Sequence, residues 1–200
     1  MIKPHAEACD RNQGHILAVI QPLLTDTRKV LEIGSGTGQH AVYFAARLPH
    51  LTWYCSDLLN NLAGIRAWLD DANLENTPEP LHLDVSQPGW PEQEYDAVFS
   101  ANTTHIMSWE EVQAMMKGIS QSLLPGGIFL LYGPFNYGGD YTSPSNAQFD
   151  AMLRQRDPKS GLRDFEDIDA LARENNLQFI KDIEMPANNR ILSWHKTPGE

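Results

Sequence analysis

The feature that most constrains the fold of this chain is a glycine loop that follows a short apolar run. Residues 30–33 read Val-Leu-Glu-Ile and lead into Gly34-Ser35-Gly36-Thr37-Gly38, after which a helix-like segment begins. Glycines permit positive φ angles and a close approach of the backbone to a ligand. A helix that starts at such a loop presents free N–H groups. The pattern predicts an α/β sheet whose ligand site lies at the carboxyl end of its first strand.

The rest of the chain alternates strand-like apolar runs with helix-like periodicity. We predict an α/β fold with a seven-stranded, mostly parallel Rossmann-like sheet, helices on both faces and an antiparallel C-terminal strand. The predicted strands are 29–33, 51–56, 81–84, 95–101, 128–132, 177–184 and 190–196. Helices are predicted over 13–24, 39–48, 146–155 and 165–175. Residues 1–200 are expected to form one domain, in which residues 1–28 are an N-terminal cap segment.

Two further helices are predicted from apolar stripes. One carries Leu58, Leu62, Ile65 and Leu69, and Asp57 is placed to cap it. The other follows the capping-box pattern Ser108-Trp109-Glu110-Glu111 and is expected to stop at residues 125–127, Pro-Gly-Gly.

The residues around the glycine loop indicate which class of ligand it binds. The dinucleotide fingerprint requires a third small residue where this chain has Gln39, and the chain contains no Gly-Lys pair for a P-loop. Glu32 stands two residues before the first glycine and suits a cation. Asp57 follows the second strand, where a carboxylate can accept hydrogen bonds from ribose hydroxyls, and Asp84 ends the third strand, where it can accept from an adenine amino group. The alternatives are that Asp57 is only a helix cap and Asp84 only a turn residue.

These residues resemble the class I S-adenosylmethionine-dependent methyltransferases. The likeness covers residues 31–132 and includes Leu124-Pro125-Gly126-Gly127 before the fifth strand. Over nearly its full length the chain is similar to an uncharacterised family of small methyltransferase-like proteins, on the motifs 8–12, 31–40, 101–106, 133–135 and 185–189. The resemblance implies S-adenosylmethionine as cofactor and S-adenosylhomocysteine as product. The expected cofactor-binding residues are Glu32, Gly34, Ser35, Gly36, Gly38, Asp57, Leu58, Asp84, Val85, Ala101, Arg11 and Asn12.

The methyl acceptor is expected beyond the ends of the fourth and fifth strands. His105 is the candidate catalytic base, since a histidine titrates near neutral pH, and its alternative role is a hydrogen-bonded support for the loop. The expected substrate-binding residues are Asn102, His105, Asn136, Tyr137, Asn189 and Arg190. Asn189 could instead only make a turn, and Arg11 could form only a surface ion pair. No Asn/Asp-Pro-Pro-Tyr/Phe motif follows the fourth strand, which argues against an adenine or glutamine N-methyltransferase.

Composition excludes several other classes of function. Fifteen basic and 26 acidic residues give a net charge of −11, which disfavours nucleic-acid partners. The chain has no apolar run long enough for a membrane span, and the N-terminal residues 1–5 lack the core of a signal peptide, so we expect a cytoplasmic protein with a small-molecule substrate. The scattered histidines and two cysteines predict no metal site.

Three functions remain open from the sequence. The leading one is a methyltransferase that acts on a small molecule by in-line transfer. The second is a non-catalytic or regulatory module that binds S-adenosylmethionine, and the third is an NAD-dependent oxidoreductase, against which Gln39 argues. The sequence does not indicate the acceptor atom or the oligomeric state.

Overall fold

The computed structural model describes residues 3–198; the first two and last two residues of the predicted domain, including Met1 and Ile2 of the predicted N-terminal cap, lie outside this range. The strands are β1 Lys29–Ile33, β2 Thr52–Asp57, β3 Leu81–His82, β4 Tyr95–Ala101, β5 Leu123–Gly133, β6 Phe135–Asn136, β7 Arg163–Asp164, β8 Leu177–Met185 and β9 Asn189–Lys196. The helices are α1 Glu7–Leu23, α2 Gln39–Ala45, α3 Leu62–Ala72, α4 Trp109–Ser122, α5 Pro144–Arg156 and α6 Phe165–Glu174.

Seven strands form one sheet in the order β3-β2-β1-β4-β5-β9-β8. The pairs from β3 to β5 are parallel, whereas β9 runs antiparallel to both β5 and β8. The predicted fold class is therefore confirmed, including the antiparallel C-terminal strand. The strand order reverses between β1 and β4, and the crevice at the carboxyl ends of two such strands is where open α/β sheets bind ligands.

Helices cover both faces of the sheet, and adjacent residues of each strand point to opposite faces and so pack against different helices. Val30 of β1 and Phe99 of β4 pack with α1, α2 and α3 on one face. Leu31 and Val98 pack with α4 and α6 on the other face. Burial on both sides explains why these strands read as continuous apolar runs.

Several predicted element boundaries were wrong. The helix after β2 begins at Leu62, so Leu58 lies outside it and is 46% exposed, and Asp57 does not cap it. The third strand ends at His82, two residues before Asp84. Helix α4 has the predicted capping box but ends at Ser122, and residues 125–127 form an irregularity within β5 instead of the helix stop.

A small second sheet was not predicted. Strand β6 pairs in parallel with β7, with Phe135 opposite Arg163 and Asn136 opposite Asp164. Two-residue strands carry too little periodicity to be recognised in a sequence. Within residues 3–198, no helix combines the length and apolar character that a membrane span requires.

Candidate functional site

A cleft of about 470 Å³ lies along the edge where β3, β2, β1 and β4 end, and we call it the glycine-loop cleft. Its walls come from the glycine loop, from the segments that follow β2, β3 and β4, and from the beginning of the chain. Of the predicted cofactor-binding residues, those that line it are Gly34, Ser35, Gly36, Asp57, Leu58, Asp84, Val85 and Ala101. The ends of four neighbouring strands thus bring together residues that are far apart in the sequence.

The three glycines of the loop serve different purposes. Gly34 has φ +71°, and a Cβ there would lie 2.6 Å from Thr103 Cγ2. Gly38 has φ +91°, precedes α2, and a Cβ there would lie 3.2 Å from Ile65 Cα. Around Gly36, with φ +59°, a Cβ would meet no atom within 4 Å. Gly34 and Gly38 therefore permit close packing, whereas Gly36 leaves open space in the cleft.

Asp57 is bound to the glycine loop by its side chain. Its Oδ2 accepts from the Gly36 N–H at 2.7 Å, and its Oδ1 accepts from the Leu58 N–H and from Asn61 Nδ2. The side chain is thus fixed in orientation while it lines the cleft. A carboxylate oxygen has further lone pairs, so it can still accept from a ligand hydroxyl.

Glu32 lies beneath the loop and is not among the residues that line the cleft. It is 1% exposed, and its Oε2 accepts from Ser35 Oγ at 2.9 Å and from Trp53 Nε1 at 3.0 Å. Burial raises the pKa of Glu32 to about 7, although the hydrogen bonds from Trp53 and Ser35 act in the opposite direction. Glu32 therefore supports the glycine loop from beneath and does not line the cleft, where a contact with the ligand was predicted for it.

Asp84 and Val85 line the cleft in the segment after β3. Asp84 Oδ1 accepts from the Ser86 N–H at 3.0 Å and from Ser86 Oγ at 2.7 Å, and these bonds hold its pKa below the usual range. Through these two hydrogen bonds, one oxygen of the Asp84 carboxylate stabilises a turn. Asp84 thus makes the turn that was considered as its alternative role and also lines the cleft, and its contact with an adenine amino group stays a prediction.

Arg11 and Asn12 do not line the cleft. Arg11 is on the exposed side of α1 and pairs with Glu7 at 3.2 Å, one helical turn away. Asn12 Oδ1 lies 2.7 Å from His40 Nε2. Helix α1 begins at Glu7, six residues earlier than predicted, and its course turns Arg11 outward. The alternative of a surface ion pair describes Arg11 correctly.

The beginning of the chain covers part of the cleft, and we call residues 3–9 the N-terminal strap. The Ala6 N–H donates to Gln39 Oε1 at 2.6 Å, and Gln39 Nε2 donates to the Ala6 carbonyl and to Asp10 Oδ1. Trp68 Nε1 donates to the Pro4 carbonyl at 2.7 Å. Gln39, which excludes the dinucleotide fingerprint, thus fastens the strap across the glycine loop.

The strap and α2 add residues to the cleft that the sequence analysis missed. Cys9 and His40 both line it. Burial raises the pKa of the Cys9 thiol to about 11 and lowers that of His40 to about 4, so both side chains are neutral at pH 7. Both residues lie within the motifs of the family resemblance, which was the one signal that could have identified them.

His105 is buried and is not among the residues that line the glycine-loop cleft. It is 4% exposed, its Nδ1 has no hydrogen-bond partner within residues 3–198, and its ring lies edge-on to Phe149. Burial, together with the charge of Arg163, lowers its pKa to about 4. Asn102 does line the cleft, and a Cβ on Gly133 would lie 3.8 Å from Asn102 Oδ1 and 3.9 Å from His105 Nδ1. The two polar side chains therefore flank the same point at the end of β5.

The remaining predicted substrate residues lie elsewhere. Asn136 lines a second cleft of about 460 Å³ between α5, β7 and the start of α4, and its Oδ1 is buried without a hydrogen-bond partner in the described range. Tyr137 and Arg190 are both bound to Asp182, at 2.7 Å each. Asn189 donates to the carbonyls of its own turn. The structure does not bring these four residues to the glycine-loop cleft, because the β8–β9 hairpin lies on the side of β5 away from β4 and β6 belongs to the separate two-stranded sheet.

No three His, Cys, Asp or Glu side chains in residues 3–198 come together as ligands for a metal ion.

Comparison with known proteins identifies the family of this chain and its fold. Residues 3–196 match the model of a family described as a protein of unknown function, DUF938. The solved structure of the S-adenosylmethionine-dependent methyltransferase SibL superposes with a TM-score of 0.81 at 23% identity, over 95% of this chain and 56% of that protein.

Two further solved structures share the architecture. An O-methyltransferase family protein from Burkholderia thailandensis has a TM-score of 0.78 at 16% identity, over 96% of this chain and 60% of its own length. Human N-acetylserotonin methyltransferase, in complex with S-adenosylmethionine, has a TM-score of 0.79 at 16% identity, over 96% of this chain and 53% of its own. The chain thus has the class I methyltransferase fold, as predicted, and spans 53–60% of the length of these proteins.

Proposed function

The chain belongs to the DUF938 family of proteins of unknown function, and on this premise we propose that it is an S-adenosylmethionine-dependent methyltransferase that acts on a small molecule. The observation that carries the proposal is the contact between the Asp57 carboxylate and the Gly36 N–H, 2.7 Å long, at the centre of the glycine-loop cleft. A loop that binds a phosphate needs that N–H free and needs no anion beside it. Asp57 therefore excludes a phosphate from this position and favours a ribose with free hydroxyl groups.

The charge of the cleft supports the same cofactor. The acidic side chains that line it within residues 3–198 are those of Asp57, Asp84 and Glu111, and no lysine or arginine joins them. S-adenosylmethionine carries a sulfonium and an ammonium group and has no phosphate, whereas a nicotinamide dinucleotide brings two negative phosphates. Like charges in a cleft of low dielectric constant repel strongly. The cleft is suited to the first ligand and unsuited to the second.

In the proposed complex, each residue of the cleft has a role that follows from its place. Asp57 accepts from the ribose hydroxyls, and Asp84 with the Val85 N–H meets the edge of the adenine. Gly36 leaves the space through which the ligand passes close to the backbone. Glu32, one layer below, keeps Ser35 and the loop in position.

The chemistry of the proposed reaction asks little of the protein beyond alignment. Bound S-adenosylmethionine supplies an electrophilic methyl group, and the chain orients the acceptor, so that proximity provides much of the rate. Because the strands end in the order β3, β2, β1, β4, a ligand with its adenosine at β3 and β2 extends toward β4 and Asn102.

His105 remains our candidate for the base. It is held neutral, so it can accept a proton, but a conjugate acid with a pKa of about 4 holds that proton weakly. Its role is therefore restricted to an acceptor whose own proton is readily lost.

A small-molecule acceptor is supported by the structural neighbours, which include a mitomycin 7-O-methyltransferase with a TM-score of 0.84 at 16% identity, over 95% of this chain and 54% of that protein.

The test of the proposal is calorimetric titration of the purified protein with S-adenosylhomocysteine and, separately, with NADH. We expect binding of the first ligand and no heat from the second. Asp57→Ala should weaken S-adenosylhomocysteine binding by about 1–3 kcal/mol, because the ribose loses its acceptor. Asp70→Ala, which removes an exposed carboxylate from α3, is the matched control and should bind like the wild type. Binding of NADH, or equal affinity in Asp57→Ala, would refute the assignment of the cleft. Release of S-adenosylhomocysteine in a panel of small-molecule acceptors would then establish turnover.

A further inference from the structure

The loop between β4 and α4 forms one wall of the glycine-loop cleft, and a segment that is distant in the sequence binds this loop. We define the β4–α4 loop as residues 102–108 and the α5–α6 connector as residues 157–164. The loop contributes Asn102, Thr103, Ile106 and Met107 to the cleft. The loop packs closely against the glycine loop, because Thr103 Cγ2 occupies the space beside Gly34. Thr103 Oγ1 also lies 2.7 Å from Ser100 Oγ, near the end of β4.

Four consecutive carbonyls of the β4–α4 loop accept hydrogen bonds from the connector. Arg163 Nε donates to the Thr104 carbonyl at 3.1 Å, and Arg163 Nη2 donates to the Met107 carbonyl. Between these two, the Gly161 N–H donates to the His105 carbonyl at 2.9 Å and Ser160 Oγ donates to the Ile106 carbonyl at 3.1 Å. A loop whose successive carbonyls are all bound by one segment can move only if that segment moves.

The connector is itself fixed to α5. Buried Asp150, 2% exposed, accepts from the Leu162 N–H at 2.7 Å and from Arg154 Nε at 2.8 Å. Gly161 has φ +146°, and a Cβ there would lie 2.8 Å from Asp150 Oδ1 and 2.6 Å from Arg154 Nη2. The connector can therefore approach α5 this closely only with glycine at position 161.

The guanidinium of Arg163 is the central element of this arrangement. It is half-buried and donates to the Thr104 and Met107 carbonyls of the loop and to the Lys159 carbonyl, the last at 2.9 Å. A planar guanidinium presents several N–H donors in a fixed fork, whereas a lysine ammonium is a single point on a flexible stem. The Nε and Nη2 groups of the Arg163 fork thus join Thr104 to Met107 in a fixed geometry.

We propose that Arg163 is a positioning residue for cofactor binding: by joining Thr104 to Met107 within the β4–α4 loop, it holds Thr103, Ile106 and Met107 in the form that closes the cleft over the cofactor. This inference rests on the proposed function for its ligand. Its structural part, the restraint of the loop by Arg163, is independent of any ligand.

The experiment compares Arg163→Gln and Arg163→Lys with the wild-type protein and with Arg156→Gln, an exposed arginine at the end of α5 that serves as the control for lost charge. Hydrogen exchange of the loop amides in the free protein measures the restraint, and calorimetry with S-adenosylhomocysteine measures its consequence. Arg163→Gln should exchange faster in residues 103–107 and should bind roughly 2- to 30-fold more weakly at a temperature where it remains folded. Arg163→Lys should behave like Arg163→Gln, because the charge alone does not bridge the loop. Arg156→Gln should match the wild type.

Several results would overturn the inference. Loop exchange and affinity equal to those of Arg156→Gln would do so, as would a lower melting temperature of the Arg163 variants without a change in affinity, which indicates a merely structural role. Wild-type behaviour of Arg163→Lys would show that charge acts and the fork does not. If the wild-type protein fails to bind S-adenosylhomocysteine, the proposed function falls, and the exchange data alone decide whether Arg163 restrains the loop. Should Arg163→Gln not fold, the lysine variant supplies both measurements.

Discussion

At the scale of single residues, two carboxylates that were predicted to bind the cofactor have different surroundings in the structure, although each stands at or near the end of a strand. Asp57 and Glu32 both belong to the expected cofactor set, yet Asp57 lines the cleft and Glu32 lies below it. The difference follows from strand geometry. Glu32 is inside β1, where the side chain must point to one face of the sheet, whereas Asp57 is the last residue of β2 and is free to turn toward the loop.

The buried histidines make stability depend on pH in a direction that can be worked out. The pKa of His105 is lowered from 6.5 to about 4 by burial and by Arg163. Between these values the unfolded chain binds a proton at this site and the folded protein does not. The free energy of unfolding therefore rises as the pH increases from 4 to 6.5 and is lost on acidification.

Replacing His105 should reduce this dependence. We expect His105→Gln to remove up to about 3 kcal/mol of the rise in unfolding free energy between these pH values, as measured by urea unfolding at a series of pH values. His15→Gln, an exposed histidine of α1, is the control and should leave the profile unchanged. His40, whose pKa is also lowered to about 4, keeps its own contribution in both variants. An unaltered profile in His105→Gln would contradict the assignment of His105 as a buried neutral histidine.

At the scale of elements, the glycine loop, β1 and β4 match their predictions, and the segments that pack on them are where predictions failed. Strand β1 and strand β4 have the predicted bounds because their apolar runs are buried on both faces. The start of α1 was misplaced because its first turn is fixed by contacts that no local pattern shows, such as those of Gln39 with Ala6 and Asp10. The same applies to β6 and β7, which exist only as partners of each other.

The N-terminal strap provides a prediction at this scale. Gln39→Ala removes the hydrogen bonds to both backbone groups of Ala6 and should release the strap from the glycine loop. We expect faster hydrogen exchange in residues 6–9 and a loss of about 1–2 kcal/mol in S-adenosylhomocysteine affinity, because the cleft loses part of its cover. Gln113→Ala, on the exposed side of α4, is the control. Unchanged exchange of the strap in Gln39→Ala would show that the contacts of Lys3 with Asp71 and of Pro4 with Trp68 suffice to hold it.

At the scale of the whole molecule, the dominant property is the negative charge of −11. This charge surrounds a cleft whose own ionised lining residues are carboxylates, so the long-range and local fields agree in attracting cations. The proposed cofactor and the expected lack of nucleic-acid binding thus rest on the same excess of acidic side chains.

The prediction that belongs to this scale concerns nucleic acids. We expect no saturable binding of labelled duplex DNA or single-stranded RNA in fluorescence anisotropy at physiological salt, with any dissociation constant weaker than about 0.1 mM. Lowering the salt concentration should not create binding, because it strengthens the repulsion between the protein and the phosphates. Tight binding that weakens with added salt would indicate a basic surface that the net charge conceals.

The sheet, the glycine loop and the acidic residues at the strand ends could be predicted from the sequence alone. These features depend on local patterns: apolar runs of strand length, glycines where φ is positive, and acidic residues at strand ends, which parallel strands bring to one edge. Asp57, Asp84, Val85 and Asn102 could therefore be placed in the cleft without a structure.

Only the tertiary structure decided the rest of the candidate site. It turned Arg11 outward, tied Tyr137 and Arg190 to Asp182, buried His105, and brought the strap and the α5–α6 connector onto the loops of the cleft. The positions of the strap and the connector depend on contacts between residues dozens of positions apart, such as Arg163 with Thr104 and Gln39 with Ala6. Local periodicity carries no information about such pairs, since each joins a side chain to a backbone group that only the fold brings beside it.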